Sequence, residues 1–259
     1  MAVKSSEFSE RVALVTGANR GIGEAIALDL GEHGAYVVGA ARTDEGVETI
    51  SRMLDENDLE GMAIQLDIAD YESIRDRIRK IVAEAGKPVS LLVNNAGITA
   101  DGPAIGMKES WDNVIGTNLT GTFRVTQNVV LGMLKAKKRG EMPEADVATI
   151  GSVVGEVGEA GQVNYAAAKA GLIGMTKAWA KEHAGEGIRF NIINPGFVDT
   201  RMTSVLDEER VQAILSLTES GQPLTPEQIA EVVRETLLAG QTGQVVTVDD
   251  GIVEKLASQ

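Results

Sequence analysis

Cysteine is absent from the chain, which excludes a disulfide framework, a thiolate-ligated zinc site and a thiol nucleophile. Histidine occurs only at His33 and His183, too few for an imidazole-built metal site. Proline is scarce, 6 residues in 259, and no Pro/Ser-rich linker or break in composition divides the chain. No apolar run approaches the length of a bilayer span. The opening residues MAVKSSEFSE have no apolar centre and do not read as a secretory signal. A soluble, cytoplasmic protein that does not engage a membrane is expected. Cations are outnumbered, with 24 Lys and Arg against 38 Asp and Glu, for a net charge of -14. Nucleic acid is therefore not expected as a partner. Phosphate backbones need clustered cations, and the one dense cluster is Lys135, Lys137, Lys138 and Arg139. The acidity fits a solubilising surface or adaptation to high salt; loss of activity on dilution of salt would mark the second.

A hydrophobic share of 43% with 29 Gly reads as an ordinary globular chain, long enough for a sizeable core. Short apolar runs suited to strands covered on both faces fall at residues 12–15, 35–41, 62–66, 91–93, 147–150, 188–193 and 245–248. Helical patterns fall between them, at residues 24–32, 45–56, 71–85, 117–138, 165–184, 207–217 and 226–238. Strand–helix alternation from end to end predicts parallel strands with right-handed crossovers, hence a doubly wound α/β fold. No repeat or low-complexity tract appears, so residues 1–259 are expected to form one domain.

The first strand runs into Thr16-Gly17-Ala18-Asn19-Arg20-Gly21-Ile22-Gly23 and then a helix. Glycines there let backbone approach a pyrophosphate, and the helix start offers unpaired N–H groups. The spacing, Gly-x-x-x-Gly-x-Gly, departs from the commoner Gly-x-Gly-x-x-Gly, and a plain tight turn is the other reading. The second strand ends Ala40-Ala41-Arg42, with no acidic residue to take a ribose 2′-hydroxyl. Arg42 and Arg20 instead suit a 2′-phosphate, so NADP(H) is expected over NAD(H), unless Arg42 is only a solvated surface residue. Asp67 and Asn94 follow the third and fourth strands, at the edge where such sheets bind ligands, although Asp67 also fits a helix cap.

Tyr165-Ala166-Ala167-Ala168-Lys169 places a phenol and an ammonium one helical turn apart. The ammonium is expected to lower the phenol's pKa and so suit it to acid/base work on a carbonyl. Tyr-x-x-x-Lys alone is common by chance. Ser152, directly after the fifth strand, adds a hydroxyl able to polarise the same carbonyl, with helix capping as its plainer role. His33 and His183 read as helix-surface residues, and Trp111 and Trp179 as packing or subunit-interface residues.

Together with Asn94-Asn95-Ala96-Gly97, Asn118 and Pro195-Gly196, these elements resemble the short-chain dehydrogenase/reductase family over residues 11–253. The stretches Gly151-Ser152-Val153-Val154-Gly155 and Gly161-Gln162-Val163-Asn164-Tyr165 are similar to its 3-oxoacyl-[acyl-carrier-protein] reductase and acetoacetyl-CoA reductase branch. The resemblance implies a Rossmann-type, seven-stranded parallel sheet flanked by helices, and a homotetramer. It implies Tyr165 as acid/base, Lys169 as its tuner and a nicotinamide-ribose ligand, Ser152 on the substrate carbonyl, and Asn118 on a relay water. It also implies cofactor contacts at Gly17, Asn19, Arg20, Gly21, Ile22, Gly23, Arg42, Asp67, Ile68, Asn94, Ala96, Gly97, Tyr165, Lys169, Pro195, Gly196, Val198 and Thr200. The implied reaction is NADPH-dependent reduction of a 3-oxoacyl thioester, on acyl carrier protein or coenzyme A, to the (3R)-3-hydroxyacyl thioester. Acetoacetyl-CoA reduction for polyhydroxyalkanoate synthesis and reduction of another ketone are the alternatives. A non-catalytic nucleotide-binding protein is a third, disfavoured because Ser152, Tyr165 and Lys169 are all present. The cations at 135–139 could meet an acidic carrier, although Glu186 stands where this branch often has a base and residues 139–146 are longer and more acidic than expected. Substrate choice is assigned to residues 155–161 and 200–223.

Overall fold

The computed structural model describes residues 6–201, 203–204 and 207–257. Seven strands, β1 (Val12–Thr16), β2 (Tyr36–Ala41), β3 (Gly61–Gln65), β4 (Val89–Asn94), β5 (Ala145–Ile150), β6 (Ile188–Pro195) and β7 (Val245–Val248), form one sheet in the order β3-β2-β1-β4-β5-β6-β7. Every pairing is parallel. β1, β4 and β5 are buried along their whole length. Period-2 alternation splits each strand between two cores. Leu14, Leu92, Val147 and Phe190 face α3 (Tyr71–Ala85) and α5 (Thr122–Lys138), meeting Ile74, Ile78, Val129 and Met133. Ala13, Val15, Leu91 and Ile193 face the other side, where α1 (Gly21–Glu32), α2 (Asp44–Glu56) and α9 (Pro226–Leu238) supply Ile26, Leu30, Ile50 and Val233. α9 spans the predicted residues and starts on a full capping box, Thr225 with Gln228.

The chain builds outward through β2 and β3, then crosses back to β4. Strand order therefore reverses between β1 and β4, and a crevice opens there at the carboxyl ends. The helix expected over 117–138 is two pieces, and a short helix outside the expected range precedes them. α4 (Glu109–Ile115) runs into a π-helical turn, Gly116–Gly121, before α5. The Tyr71 hydroxyl donates to the Gly116 carbonyl at 2.9 Å where the turn begins. Three further short helices were not visible in the pattern: α6 (Val154–Val157), a 3-10 turn at Ala184–Glu186 and α10 (Ile252–Ala257). The helix expected over 165–184 is α7 (Val163–Glu182), and that over 207–217 is α8 (Glu208–Leu215), capped by Asp207.

His183 is not a surface residue. Its side chain is 8% exposed, because α7 ends against β6 and the imidazole stacks on Trp179 and Phe190, with centroids 5.2 and 5.6 Å away. Trp179 packs into the core, as expected, whereas Trp111 on α4 stays 37% exposed. The acidic stretch that runs into β5 has a structural use. Asp146, 1% exposed, takes Arg11 at 2.7 Å and Arg189 at 2.8 Å, which ties together the amino ends of β1, β5 and β6. Lys135 to Arg139 sit at that same amino-terminal edge, across the sheet from the crevice. There Lys137 is bonded to the Pro143 carbonyl and Arg139 to Glu141. Among the described residues, no helix is long and apolar enough to cross a membrane.

Candidate active site

Two cavities lie along the carboxyl edge of the sheet. The first, about 320 Å³, sits at the β1–β4 reversal. The second, about 500 Å³, lies over the ends of β5 and β6. Ile22, Asn95, Gly97 and Thr200 line both, so they form one continuous groove.

The glycine turn builds the first cavity. Gly17, Asn19, Arg20, Gly21, Ile22 and Gly23 all line it. Arg20, the residue before α1, offers no side-chain cap, which leaves first-turn N–H groups for an anion. Gly23 is held by contact rather than by conformation. A Cβ there would lie 2.2 Å from the Gly17 carbonyl oxygen and 2.4 Å from Asn95 Nδ2. Backbone cannot give way by that much, so Gly23→Ala is expected to open the turn and weaken dinucleotide binding at least tenfold. Titration of cofactor fluorescence checks this; an unchanged Kd in a folded variant would refute it.

At the far end of the first cavity, Arg42 lines the wall beside neutral Ala41 and Thr43. Two guanidiniums, Arg20 and Arg42, therefore line one cavity, and Asp67 is the acidic residue that lines it with them. Arg201 lines the cavity as well; nothing in the local pattern marked it. Asp67 and Ile68 line it just beyond β3, where Asp67 Oδ1 accepts from the Ala69 N–H at 2.9 Å. Ala96 and Gly97 complete the floor. The residues thus fit a dinucleotide, with an anion cradle at the start of α1 and the cations Arg20, Arg42 and Arg201 along the same cavity.

Asn94 corrects an expectation. It lines neither cavity; its side chain turns into the core, 4% exposed, and donates to Thr126 Oγ1 at 2.9 Å. The neighbour, Asn95, lines both cavities and donates to the Thr16 and Gly17 carbonyls at 3.0 and 3.2 Å. Alternation along β4 decides which of the two faces the ligand.

Ser152, Tyr165 and Lys169 come together on the wall of the second cavity, with Pro195, Gly196 and Val198 across from them. β5 delivers Ser152, and α7 delivers the other two on one face. Lys169 is 5% exposed; its Nζ donates to the Ile150 carbonyl at 2.8 Å and sits 5.4 Å from the Tyr165 ring centroid. Burial drives both groups toward their neutral forms. It pushes the Tyr165 phenol up to about 12, against a hydrogen bond from Ser152 that lowers it, and the Asp101 carboxylate raises it further. It pulls Lys169 down to about 8. The expected lowering of the phenol by the ammonium is therefore reversed, because desolvation outweighs every favourable contact.

Asn118 is placed behind the wall rather than on it. It is 1% exposed in the π-helical turn, and its amide clamps both backbone groups of Ile98, each at 2.8 Å. Asn164 does similar work and carried no local signal. Fully buried at the start of α7, it donates to the Ala100 and Ser110 carbonyls and accepts from the Tyr165 N–H at 2.8 Å. Val153, Val154, Val157, Phe197, Ile214 and Leu217 give the second cavity an apolar stretch of wall, and Asp101, Glu159, Gln162 and Arg210 also line it. Both segments expected to govern substrate choice contribute to it; Met202, Val205 and Leu206, within the second, lie outside the described residues. Among the described residues, no group of three or more His, Asp or Glu could hold a metal ion.

Similarity to known proteins agrees with this geometry. Residues 11–211 match the model of the short chain dehydrogenase family. The 3-oxoacyl-[acyl-carrier-protein] reductase FabG of Pseudomonas aeruginosa is 43% identical over 246 residues, 93% of this chain and 97% of that protein. Its Escherichia coli (strain K12) counterpart is 43% identical over 251 residues, 95% and 98% of the two chains. That of Thermotoga maritima is 40% identical over 254 residues, 94% and 98%. By fold, by the arrangement of the groove and by sequence, this chain belongs to the short-chain dehydrogenase family.

Proposed function

We propose that this protein is an NADPH-dependent reductase of 3-oxoacyl thioesters, yielding the (3R)-3-hydroxyacyl thioester. The observation that carries the reading is the joined groove, with a phosphate-ready turn at one end and Ser152, Tyr165 and Lys169 beside an apolar chamber at the other. FabG relatives at 40 to 43% identity point to the same chemistry.

The nicotinamide, when bound, supplies the hydride. Ser152 donates a hydrogen bond to the 3-oxo oxygen and holds it against the phenol. Tyr165 gives that oxygen its proton. With its pKa near 12 the phenol is fully protonated at neutral pH, so the acid is in place before reduction begins. Lys169, cationic below about pH 8, stabilises the phenolate left behind. Asn118 is a positioning residue in this scheme and fixes the Ile98 backbone at the cavity floor. The apolar chamber excludes water and takes the acyl chain. The whole chain acts as one catalytic domain, as a cytoplasmic homotetramer.

Preference for NADPH rests on Arg20 and Arg42 beside Ala41. A guanidinium–phosphate pair lost from this site is worth about 10- to 100-fold in binding. Arg42→Ala is therefore expected to lower kcat/KM for NADPH by about that factor and to leave NADH turnover nearly unchanged. A wild-type preference for NADH would refute the assignment. The carrier is tested with acetoacetyl-CoA, longer acyl-CoAs, acyl-carrier-protein thioesters and free ketones, each with NADPH. The reading expects thioester turnover well above that of free ketones; activity confined to free ketones would remove it.

A further inference from the structure

The backbone that presents Ser152 is fastened by side chains that line neither cavity. α6 begins two residues after Ser152, and its Glu156 carboxylate reaches back to the sheet. One oxygen, Oε1, accepts from Asn194 Nδ2 at 2.6 Å and from Thr247 Oγ1 at 2.8 Å. These donors stand on β6 and β7, so Glu156 ties α6 to two strands at once.

Asn194 is the informative partner. It is fully buried and directly precedes Pro195-Gly196. An ionised carboxylate only accepts hydrogen bonds, so it fixes the amide with its nitrogen toward Glu156 and its oxygen away. That oxygen has no hydrogen-bond donor. It lies instead against Gly151, where a Cβ would stand 1.8 Å from it. The amide oxygen thus fills the space under the residue before Ser152. Main-chain bonds pin both flanks of the serine to β6: Gly151 N–H to the Ile193 carbonyl at 2.7 Å, and Val153 N–H to the Pro195 carbonyl at 3.0 Å.

We infer that Glu156 is a positioning residue: through Asn194 it fixes the Gly151-Ser152 backbone, and through α6 it fixes the apolar wall formed by Val153, Val154 and Val157. The inference rests on the reductase reading for its kinetic consequence. Its structural part stands without it.

Glu156→Ala removes the acceptor, while Glu156→Gln keeps an Oε1 able to take both donors. Glu156→Ala is expected to lower kcat about tenfold, as misplacing a reacting group does, with the Kd for NADPH unchanged. Glu156→Gln is expected to stay within about twofold of wild type. In a Ser152→Ala background, adding Glu156→Ala is expected to cost less than about twofold more, because the residue acts through Ser152. Amide hydrogen exchange over residues 151–157, measured without substrate, is expected to rise in Glu156→Ala and not in Glu156→Gln. Thr247→Val removes only the β7 donor and gives a milder form of the same effects should Glu156→Ala fail to fold. Wild-type kcat with unchanged exchange in Glu156→Ala, or in Thr247→Val in its place, would overturn the inference. So would a full tenfold loss in the Ser152→Ala background. Failure of the wild type on every thioester would overturn the proposed function instead and leave the exchange result to decide the tether.

Discussion

Replacing Tyr165 with phenylalanine is expected to lower kcat for carbonyl reduction by about 10²- to 10⁴-fold, the usual contribution of a positioned general acid. The ring stays and only the hydroxyl is lost, so the packing of α7 is preserved. The glycine turn, Arg42 and Lys169 are untouched, so most of the affinity for NADPH should remain, and the loss should fall on kcat rather than on KM. Steady-state kinetics with NADPH fluorescence titration checks both parts. Full activity in the variant would defeat the assignment of the proton donor, whatever the substrate. The pH profile of the wild type adds a second reading. The phenol is protonated throughout the neutral range, whereas Lys169 titrates near 8 in the free enzyme. Reductive kcat/KM, which reports the free enzyme, is therefore expected to hold below about pH 8 and to fall above it. A profile flat to pH 10 would remove Lys169 from the step.

What was legible in the sequence was local. The glycine turn, Arg42, Asp67 and the Tyr165/Lys169 spacing each follow from a strand end or one helical turn, and all line the groove. Errors arose where a neighbouring element decided the outcome. Asn94 and Asn95 are alike in type, and only alternation in β4, packed on Thr126, turns the first inward. His183 looks like a helix-surface residue until β6 places Phe190 against it. The π-helical turn is bounded by Gly116 and Gly121, which the helical pattern passes over, and α4 ahead of it is too short to show a period. Asn164 and Arg201 contribute through contacts distant in sequence, which no short motif encodes. The sign of the Tyr165 shift is the sharpest case. Spacing says that an ammonium is near, but the depth of burial decides which charge state wins, and depth is a property of the packed structure.

Burial of Lys169 has a cost that its removal should expose. Its pKa falls from 10.5 to about 8 on folding, so the unfolded chain holds the proton more tightly than the native one. A base shifted down in this way penalises the folded state at every pH below about 8, and the penalty fades as pH rises from there to 10.5. At pH 7 the penalty is on the order of 3 kcal/mol. Lys169→Met fills a similar volume without a charge. It loses the charge-assisted bond to the Ile150 carbonyl, about 2 kcal/mol. The variant is therefore expected to be more stable than wild type at pH 7, by roughly 1 kcal/mol, which corresponds to a few degrees in Tm for a chain of this length. Reductase activity should fall by at least about 10²-fold in the same variant, since nothing then stabilises the phenolate. Thermal melts without cofactor at pH 7 and pH 10 separate this from a packing effect. The gap should close toward pH 10, where Lys169 is neutral in the wild type as well. A variant less stable than wild type at pH 7, or a gap independent of pH, would show that the ammonium is not held at the expense of the fold. The expected result would mean that this chain gives up stability to keep a cation beneath its proton donor.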